Sequence, residues 1–447
     1  MKGIEEKQIE APYELPEGWK WCRLGDVADC LDGFRKPINA TERAGRTGNV
    51  PYYGATGQVG WIDDFLTNEE LVLLGEDGAP FLDLIKEKAY LISGKAWVNN
   101  HAHILRSKYG EIGNRYLLNY LNIFNYSGYV NGTTRLKLTQ GEMLKIPFPL
   151  PPTLAEQQRI VNRIESMFAK LDEAKEKAQN VVDGFETRKA AILHKAFTGE
   201  LTANWRKENG IEKNKELDFI YNFAQTLSKK DMTNITDFQK QAYDYVLSDG
   251  AVWKKCCIGA IGVITNGSTP SRKEASFWNG NIPWVSSGEV ANNTIESTNE
   301  MISEEGFNNS SVKKLPIGTV LIAMIGEGKT RGQTSVLNIE ATTNQNIAAI
   351  IINHGHVESK FLWYWLQKEY KNNRTAGNGS GPQALNCQKV RELPFILPTL
   401  PEQVEIVRIL EIIIEKENKA KQAAEAVLEQ IDLLKKSILA RAFRGEL

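Results

Sequence analysis

The sequence is poor in the features that mark secreted and membrane proteins. It has 5 cysteines in 447 residues, an odd number without a Cys-x-x-Cys pair, which is typical of a reducing compartment rather than of a disulfide scaffold. No run approaches the roughly 18 apolar residues of a membrane span. The first residues, Met1 to Glu6, contain no apolar core of a signal peptide. We therefore expect a cytoplasmic protein.

An excess of charge of either sign is also lacking. The net charge is -1 and the pI is about 6.6, so binding to nucleic acid would need locally clustered positive charge or help from a partner. The hydrophobic fraction of 42% and the charged fraction of 24% are ordinary for a globular protein. The length allows two to four domains, each large enough to bury its own core.

A nucleotide-binding loop is not supported by the spacing of its residues. Gly326 to Thr330 ends like a phosphate-binding loop, but that motif requires a glycine at the position of Ala323. Its glycines allow backbone amides to wrap a phosphate, so the substitution matters. We favour a turn that presents Lys329 and Arg331 to a polyanion over an NTPase site.

Other catalytic or metal-binding patterns are equally weak. His101 with His103, and His354 with His356, could each place two imidazoles on one strand face. No cysteine or carboxylate joins them in the sequence, so hydrogen-bonded or packed histidines are favoured over a metal site. No Ser/His/Asp or Cys/His nucleophile is evident. We expect a chain without a catalytic centre, a metal or a cofactor of its own.

What the sequence does contain is an internal duplication. Residues 153–201 and 399–447 align without a gap at an offset of about 246 residues, with roughly 20 identities over about 49 positions. The offset is the length of a whole domain plus a connector. The chain therefore reads as domain, helix, domain, helix.

Both copies are predicted to be long helices. Thr153 with Glu156, and Thr399 with Glu402, form capping boxes at their starts, and a glycine suited to a left-handed cap ends each copy. Apolar residues recur alternately every four and three positions, which is typical of a coiled-coil seam. These residues are Ile160, Ile164, Met167, Leu171, Ala174, Ala178, Val181, Phe185 and Ile192 in the first copy, and Ile406, Leu410, Ile413, Ala420, Ala424, Val427, Ile431, Leu434 and Ile438 in the second.

One charged residue interrupts each seam, Arg188 in the first copy and Glu417 in the second. If the helices pair antiparallel with these two residues opposed, the remaining seam positions also face one another. The pairings are then Leu171 with Leu434, Ala174 with Ile431, Ala178 with Val427, Val181 with Ala424 and Phe185 with Ala420. We predict a buried ion pair that sets the register and contributes little stability. Two unrelated amphipathic helices, each docked on its own domain, remain the alternative.

The rest of the chain predicts an α+β fold with two similar, mostly β globular domains at residues 1–152 and 251–398. Long helices follow at 153–201 and 399–447, and a helical connector occupies 202–250, with short helices at Leu217–Leu227 and Phe238–Leu247. Proline-rich extended joints end both domains. Short apolar runs bounded by turn formers predict strands, and apolar residues on one face predict a helix in each domain. The strand runs are Val50–Gly54, Gln58–Ile62, Leu71–Gly75, Ala102–Leu105, Cys257–Ile261, Ile282–Val285, Thr319–Ile325 and Ile347–Ile352, and the helices are Asn114–Phe124 and Ser359–Tyr370.

Polar and basic residues accumulate in the turns of both domains. Arginine and glutamine can hydrogen-bond base edges, whereas lysine, serine and threonine hold phosphates. For any single residue a solvated loop charge remains the alternative, but as a set they indicate DNA binding. The candidates are Arg35, Lys36, Arg43, Arg46, Thr133, Thr134, Arg135 and Lys137 in the first domain, and Ser271, Arg272, Lys273, Lys329, Arg331, Gln333, Arg374 and Gln383 in the second.

Several further segments carry a family pattern: Leu15–Trp19, Trp97–His103, Thr343–Ala348, residues 151–157 and 397–403, and the two Ala-Phe-x-Gly-Glu-Leu helix ends. Through these segments the sequence resembles, over essentially its full length, the specificity subunits of type I restriction–modification systems. The resemblance implies two target recognition domains, each reading half of a bipartite sequence in double-stranded DNA, with the helices as a spacer. It also implies docking of two methyltransferase subunits, which restriction and translocase subunits join. S-adenosylmethionine, ATP and Mg²⁺ are then expected on those partners.

The sequence thus predicts a non-catalytic DNA-recognition subunit whose target is asymmetric, because the loops of the two domains differ. DNA-contacting positions vary within such a family, so the candidate residues rest on loop chemistry alone. The main alternative is a two-headed scaffold that binds protein partners and uses the coiled coil as a spacer. An NTPase that uses Lys329 is a third, weaker possibility.

Overall fold

The computed structural model describes residues 11–209, 227–326, 328–375 and 384–447. The chain forms two compact units: unit 1 is Met1–Val182 with Gln422–Leu447, and unit 2 is Asp183–Lys421. Each unit therefore contains part of both long helices. Among the helices of the described ranges, none is long and apolar enough to cross a membrane.

Unit 1 contains two four-stranded sheets. Its strands are β1 (Lys20–Arg23), β2 (Ala28–Cys30), β3 (Val50–Gly54), β4 (Gly57–Ile62), β5 (Thr67–Asn68), β6 (Leu71–Gly75), β7 (Ala89–Ile92), β8 (Lys95–Val98), β9 (Ala102–Ser107), β10 (Val130–Asn131), β11 (Lys137–Leu138) and β12 (Pro147–Leu150). Its helices are α1 (Leu24–Val27), α2 (Ala40–Ala44), α3 (Gly110–Ile123), α4 (Gln140–Met143) and the first long helix, α5 (Leu154–Asp183). One sheet has the antiparallel order β2-β9-β6-β7, and the other has the order β4-β3-β8-β5, with β3 and β8 parallel.

Unit 2 repeats this plan. Its helices are α6 (Phe185–Phe197), α7 (Ala203–Asn209), α8 (Lys229–Gln239), α9 (Glu304–Asn308), α10 (Ser359–Lys368), α11 (Tyr370–Thr375) and α12 (Cys387–Glu392), and the second long helix is α13 (Leu400–Phe443). Its strands are β13 (Tyr243–Val246), β14 (Val252–Cys257), β15 (Gly262–Asn266), β16 (Trp278–Val285), β17 (Asn293–Ile295), β18 (Glu300–Ile302), β19 (Val320–Ala323), β20 (Thr334–Leu337), β21 (Thr342–Thr343), β22 (Ile347–Ile352) and β23 (Pro394–Leu397). The order β15-β22-β19-β20 matches β2-β9-β6-β7, and β16 pairs with β21 in parallel as β3 does with β8.

The predicted α+β plan of two similar domains is confirmed, and several strands occupy the predicted residues. β3, β6 and β22 coincide with the apolar runs, and α3 and α10 are the two predicted domain helices, although α3 begins at Gly110. The predicted strand Cys257–Ile261 is wrong, because β14 ends at Cys257 and Ile258–Ala260 forms a short 3-10 turn. Phe238 packs so closely against Gly259 that a Cβ there would lie 2.6 Å from its ring.

The connector differs from the prediction. The helix predicted at Phe238–Leu247 is wrong, because α8 ends at Gln239 and Tyr243–Val246 forms β13, paired with β14. Tyrosine and valine favour strands, and the edge of β14 offers this segment hydrogen-bonding partners. Of the helix predicted at Leu217–Leu227, residues 217–226 lie outside the described residues.

The proline-rich joints are extended, as predicted, but they also form strands. Pro147–Leu150 is β12 and pairs with β1, and Pro394–Leu397 is β23 and pairs with β14. Proline lacks an amide proton and is tolerated in a strand at a sheet edge. Both strands have a single partner strand in their sheets, so the prolines remove no central ladder bonds.

The first long helix is interrupted, contrary to the prediction of one continuous helix over 153–201. α5 ends at Asp183 and α6 begins at Phe185, with Gly184 between them. Glycine is a weak helix former and a frequent site of helix bends. α13 runs unbroken for 44 residues. The predicted left-handed glycine caps are confirmed, with φ of 79° at Gly199 and 74° at Gly445.

The two predicted capping boxes behave differently. Thr153 Oγ1 accepts a hydrogen bond from the Glu156 amide at 3.2 Å. Thr399 Oγ1 is buried without a partner among the described residues, so the second box is wrong. Glu402 is only 1% exposed and turns instead to an internal network. Its carboxylate accepts hydrogen bonds from Trp253 Nε1 (3.0 Å), Thr202 Oγ1 (2.8 Å) and Arg206.

The long helices run antiparallel within each unit. In unit 2, Arg188 Nε lies 2.7 Å from Glu417 Oε2, and Lys421 Nζ lies 5.0 Å from the centroid of the Phe185 ring. In unit 1, Lys175 pairs with Asp432 at 3.5 Å, and Asp172 pairs with Lys435 at 2.5 Å. The predicted contact of Arg188 with Glu417 is present. The prediction that this pair is buried is wrong, since the side chains are 38% and 25% exposed.

The seam of the second copy is displaced by one residue over part of its length. The predicted positions Ala420, Val427 and Leu434 are exposed, whereas Lys421, Leu428 and Lys435 are half-buried. The pairings Phe185–Ala420, Ala178–Val427 and Leu171–Leu434 are therefore wrong. Glu417 itself occupies a seam position, so the repeat of four and three residues continues from it. The lysines fit the seam because their stems can cover apolar surface while the charged end stays in water. All nine positions predicted in the first copy are buried or half-buried.

Glu402 and Glu156 offer a matched test, because they occupy the same position in the two copies. We expect Glu402→Ala to lower the free energy of unfolding by about 3 kcal/mol, because it takes a buried carboxylate away from Arg206, whose side chain is 5% exposed. Glu156→Ala removes an exposed pair with Arg159 and should cost less than about 1 kcal/mol. Urea unfolding of the full chain measures both effects, and equal effects would contradict the assignment.

The Arg188–Glu417 pair can be tested by exchanging the charges. Arg188→Glu and Glu417→Arg should each destabilise the chain, and the double variant should recover about 0.5–1 kcal/mol relative to the sum, as expected for a half-exposed pair. Lys195→Glu, at an exposed lysine of the same helix, controls for the change in net charge. Purely additive effects in thermal unfolding would show that the two charges are not coupled.

Candidate nucleic-acid interface

Each unit has the same tight turn after the second strand of its parallel pair. In unit 1 the Asn99 amide donates to the Tyr53 carbonyl, and Asn99 Oδ1 accepts from the His101 amide at 2.8 Å. In unit 2 the Asn344 amide donates to the Val285 carbonyl, and Asn344 Oδ1 accepts from the Asn346 amide at 2.9 Å. The turn leads into β9 in one unit and into β22 in the other.

Two predicted basic segments of unit 1 meet over a group of carboxylates. Arg35 is mostly buried and pairs with Asp32 at 3.0 Å and with Glu76. Lys137 pairs with the same Glu76 at 3.1 Å. The structure thus brings together residues about 100 positions apart, and Arg35 contributes mainly to the internal packing of the domain.

The turn of unit 1 is tied to the same region. His101 Nδ1 lies 2.7 Å from Asp77 Oδ1, and Arg135 donates to that oxygen at 2.9 Å. Thr133 and Thr134 lie beside Arg135 in the chain and are exposed. Arg135 is 62% exposed despite its ion pair, so it can exchange Asp77 for a phosphate at small cost.

The other basic residues of unit 1 stack on aromatic rings. The Arg43 guanidinium lies 4.8 Å from the centroid of Tyr52, and that of Arg46 lies 4.6 Å from the centroid of Trp97. Arg46 also pairs with Asp63 at 2.6 Å. Lys36 Nζ lies 5.9 Å from the Trp97 centroid. Stacking reduces the number of conformations that these long side chains sample.

Unit 2 repeats the stacking with different side chains. The Arg272 guanidinium lies 3.7 Å from the centroid of Trp278 and 5.1 Å from that of Trp284, and it pairs with Glu300 at 2.9 Å. Ser271 and Lys273 on either side are exposed. Trp284 lies in β16, the counterpart of β3, which carries Tyr52. Each unit therefore places an arginine over an aromatic ring of the equivalent strand, β3 in unit 1 and β16 in unit 2.

A second group in unit 2 surrounds Tyr370. The Tyr370 hydroxyl donates to the Lys329 carbonyl at 2.7 Å, and Arg374 donates to the Arg331 carbonyl at 3.3 Å. The backbone of Gln333 accepts from the Ala323 amide at 2.9 Å and closes the loop. Lys329 is exposed. Gln383 lies outside the described residues.

The segment with Lys329 does not have the setting of a phosphate-binding loop. It leads through a turn at 331–332 into β20, whereas such a loop leads into a helix whose amino terminus binds the phosphate. Arg331 lies in this turn and Lys329 in the bend before it, and presentation of the two residues to a polyanion stays a prediction.

Comparison with known proteins identifies the family. A family model for the type I restriction modification DNA specificity domain matches residues 16–182 and 251–430. The chain belongs to this family. A Haemophilus influenzae protein named as a type I restriction enzyme specificity subunit is 34% identical over 150 residues, which cover 34% of this chain and 37% of that protein. The chain thus spans less than half of that relative.

Two further comparisons cover nearly the whole chain. The Escherichia coli type I restriction enzyme EcoDI specificity subunit is 24% identical over 97% of this chain and 90% of its own length. The crystal structure of the HsdS subunit from Thermoanaerobacter tengcongensis covers 98% of this chain and 100% of its own, with a TM-score of 0.58 and 18% identity. At this low identity, the likeness to the solved structure shows a shared fold.

The histidine pair of unit 1, His101 and His103, is held by hydrogen bonds to carboxylates. Cys30, Asp32 and His103 lie close enough to hold a metal ion. However, His103 Nδ1 lies 2.6 Å from Asp32, and Nε2 lies 2.9 Å from the Leu138 carbonyl. Burial raises the pKa of the Cys30 thiol to about 11, which disfavours the thiolate that a metal needs. His354 and His356 lie in a turn after β22, and His101 lies in the turn before β9, so neither pair shares a strand face.

Sequence patterns missed the residues that hold the basic side chains of this candidate interface in place. Glu76, Asp77 and Glu300 hold several of the basic side chains, and nothing in their local sequence indicates it. Asn99 and Asn344 form the equivalent turns. One sequence signal could have found these turns. In both segments that carry the family resemblance, the asparagine is followed by a second residue with an amide side chain, Asn100 or Gln345.

The carboxylates of unit 1 predict a loss of stability in acid. Burial opposes ionisation of Asp32, but hydrogen bonds from His103 and the Ile104 amide and the charge of Arg35 hold its pKa below the ordinary value. Burial likewise opposes ionisation of Glu76, and Arg35 and Lys137 outweigh it and lower the pKa. A pKa depressed in the folded state adds stability above the unfolded pKa, and this stability is lost as the pH falls through the folded pKa.

We expect Asp32→Asn to lower the melting temperature at pH 7, and the difference from the natural chain should shrink as the pH falls below about 4. Thermal unfolding from pH 7 to pH 3 measures this. Asp29→Asn, which changes a carboxylate that is 44% exposed, should leave the curve nearly unchanged. A constant difference between the Asp32 variant and the natural chain at all pH values would contradict the role of this ionisation.

Proposed function

We propose that this chain is the non-catalytic DNA-recognition subunit of a type I restriction–modification complex, with each unit reading one half of a bipartite, asymmetric site. The observation that carries the proposal is the repetition of one interface with different side chains. Arg43 over Tyr52 in unit 1 and Arg272 over Trp284 in unit 2 occupy matching strands. Two readers of one design with different side chains suit two different half-sites.

The local charges support reading by hydrogen bonds rather than by strong electrostatic attraction. Arg35, Arg46, Arg135, Lys137 and Arg272 each pair with a carboxylate of the same unit. With a net charge of -1, the chain alone neutralises few phosphates. In the proposed complex, methyltransferase subunits supply the rest of the phosphate contacts.

A cleft in unit 1 supports docking of a protein partner on the helix pair. Its volume is about 510 Å³, and its lining includes Leu84, Ile85, Phe168, Lys435 and Leu439. Leu84 and Ile85 are 55% and 54% exposed, and exposed apolar groups beside charged ones are typical of protein interfaces. We assign this face to one of the two methyltransferase subunits. Those subunits, with the restriction and translocase subunits, would carry S-adenosylmethionine, ATP and Mg²⁺.

The long helices are proposed to set the distance between the two half-sites. α13 has 44 residues, which corresponds to about 65 Å of helix. Its unbroken length supports a rigid spacer. Gly184, which separates α5 from α6 in the partner helix, is the place for an insertion that tests this role.

The experiment is to map methylated adenines in DNA from cells that carry this chain with its methyltransferase partners. The natural chain should produce one bipartite motif. Insertion of about four residues, one helical turn, at Gly184 should lengthen the spacer and leave both half-sites intact. Altered half-sites would contradict the spacer role, and methylation without a bipartite motif would contradict the proposed function.

The scaffold alternative predicts a different dependence on salt. A DNA-reading complex should bind its site more tightly as the salt concentration falls, with a logarithmic slope set by the phosphates neutralised. A protein scaffold should show no sequence-dependent DNA binding at any salt concentration. Fluorescence anisotropy with the mapped site and a scrambled duplex distinguishes the two.

A further inference from the structure

The tight turns of the two units share three hydrogen bonds. Besides the hydrogen bonds of Asn99 and Asn344, one further hydrogen bond joins the end of the neighbouring strand to each turn. The Glu76 amide donates to the His101 carbonyl at 2.8 Å, and the Met324 amide donates to the Asn346 carbonyl at 2.9 Å. The turn is therefore one rigid feature present twice.

The middle residue of each turn is exposed, whereas the asparagine before it is buried and the residue after it is half-buried. Asn99 and Asn344 are 8% and 7% exposed, and their side chains are used in holding the turn. Asn100 and Gln345 come next in the chain and are exposed. At the same place, each unit thus presents a carboxamide on a rigid support.

Predicted DNA-binding segments lie on both sides of each turn. In unit 1, Asp77 links His101 to Arg135 on one side. On the other side, Asn100 and Arg43 line the same cleft of about 550 Å³. The outward amide therefore lies between the two basic segments of the unit.

Unit 2 shows the same arrangement. Thr269 Oγ1 lies 2.5 Å from Gln345 Oε1 and donates to it, and Thr269 lies three residues before Arg272. The hydrogen bond from the Met324 amide to the Asn346 carbonyl places the loop with Lys329 on the other side of the turn. The hydrogen bond from Thr269 also restricts the orientation of the Gln345 carboxamide.

A carboxamide offers a donor and an acceptor side by side. This pattern complements the N6 donor and N7 acceptor that adenine presents in the major groove. A carboxamide bound to a phosphate alone would use only its donor. Rigid support by the buried asparagine favours the bidentate contact, because such contacts require a fixed orientation.

We propose that Asn100 and Gln345 are equivalent specificity-determining residues, each reading an adenine in the half-site of its own unit. The inference rests on the proposed function of the chain as a DNA-recognition subunit. It adds which side chain of each unit reads a base and which base it reads.

The test uses the complete complex with its methyltransferase subunits and a library in which both half-sites are randomised. For Asn100→Ala, the preference for adenine over the other bases at one position of one half-site should fall about tenfold or more. The other half-site should be unchanged. Gln345→Ala should do the same in the other half-site only. Asn68→Ala and Asn309→Ala, which change exposed amides outside the turns, should leave both half-sites unchanged.

Unfolding temperatures equal to that of the natural chain will show that the variants fold. Unchanged half-sites in both alanine variants would overturn the inference. A uniform loss of methylation across all sequences would also overturn it, because that result marks a phosphate contact. Lack of sequence preference in the natural complex would instead overturn the proposed function itself.

Discussion

Burial of the helix ends in the domain cores is the constraint on which the rest of the structure depends. Phe443, at the end of α13, is fully buried in unit 1, with its ring 4.9 Å from that of Tyr116. Phe197, at the end of α6, is buried in unit 2, 5.2 Å from Phe361. The beginning of the other long helix completes each core, with Ile160 in unit 1 and Ile406 in unit 2. The two helices must therefore run in opposite directions in each unit.

This arrangement explains why the duplicated segment is best preserved at its ends. Residues near the ends pack into a core, where small changes in volume are costly. The middle of the pair needs only a narrow apolar seam, and it tolerates Glu417, Lys421 and Lys435. The exposed basic side chains belong to neither of these cores. They can differ between the units without loss of the shared fold, as the proposed recognition of two different half-sites would require.

Much of the fold could be predicted because its signals are local. The runs that form β3, β6 and β22 are apolar and bounded by turn residues, and the helix-end motifs repeat within the chain. The failures arose where a distant partner outweighed a local preference. Thr399 and Glu402 have the spacing of a capping box, but Arg206 and Trp253 offer the carboxylate a buried ion pair and a hydrogen bond. Tyr243–Val246 became a strand because β14 offered an edge.

The sequence by itself determined the duplication, the class of fold, the helix caps at Gly199 and Gly445, and the contact between Arg188 and Glu417. These follow from residue identity and spacing along one chain. Only the tertiary structure decided which basic residues are already neutralised, which rings carry an arginine, and which amides face outward. Arg35 and Arg43 look alike in sequence, yet one is held by Asp32 and Glu76 and the other lies on Tyr52. Their environments are built from residues far apart in the chain, and such pairings leave no periodic signal.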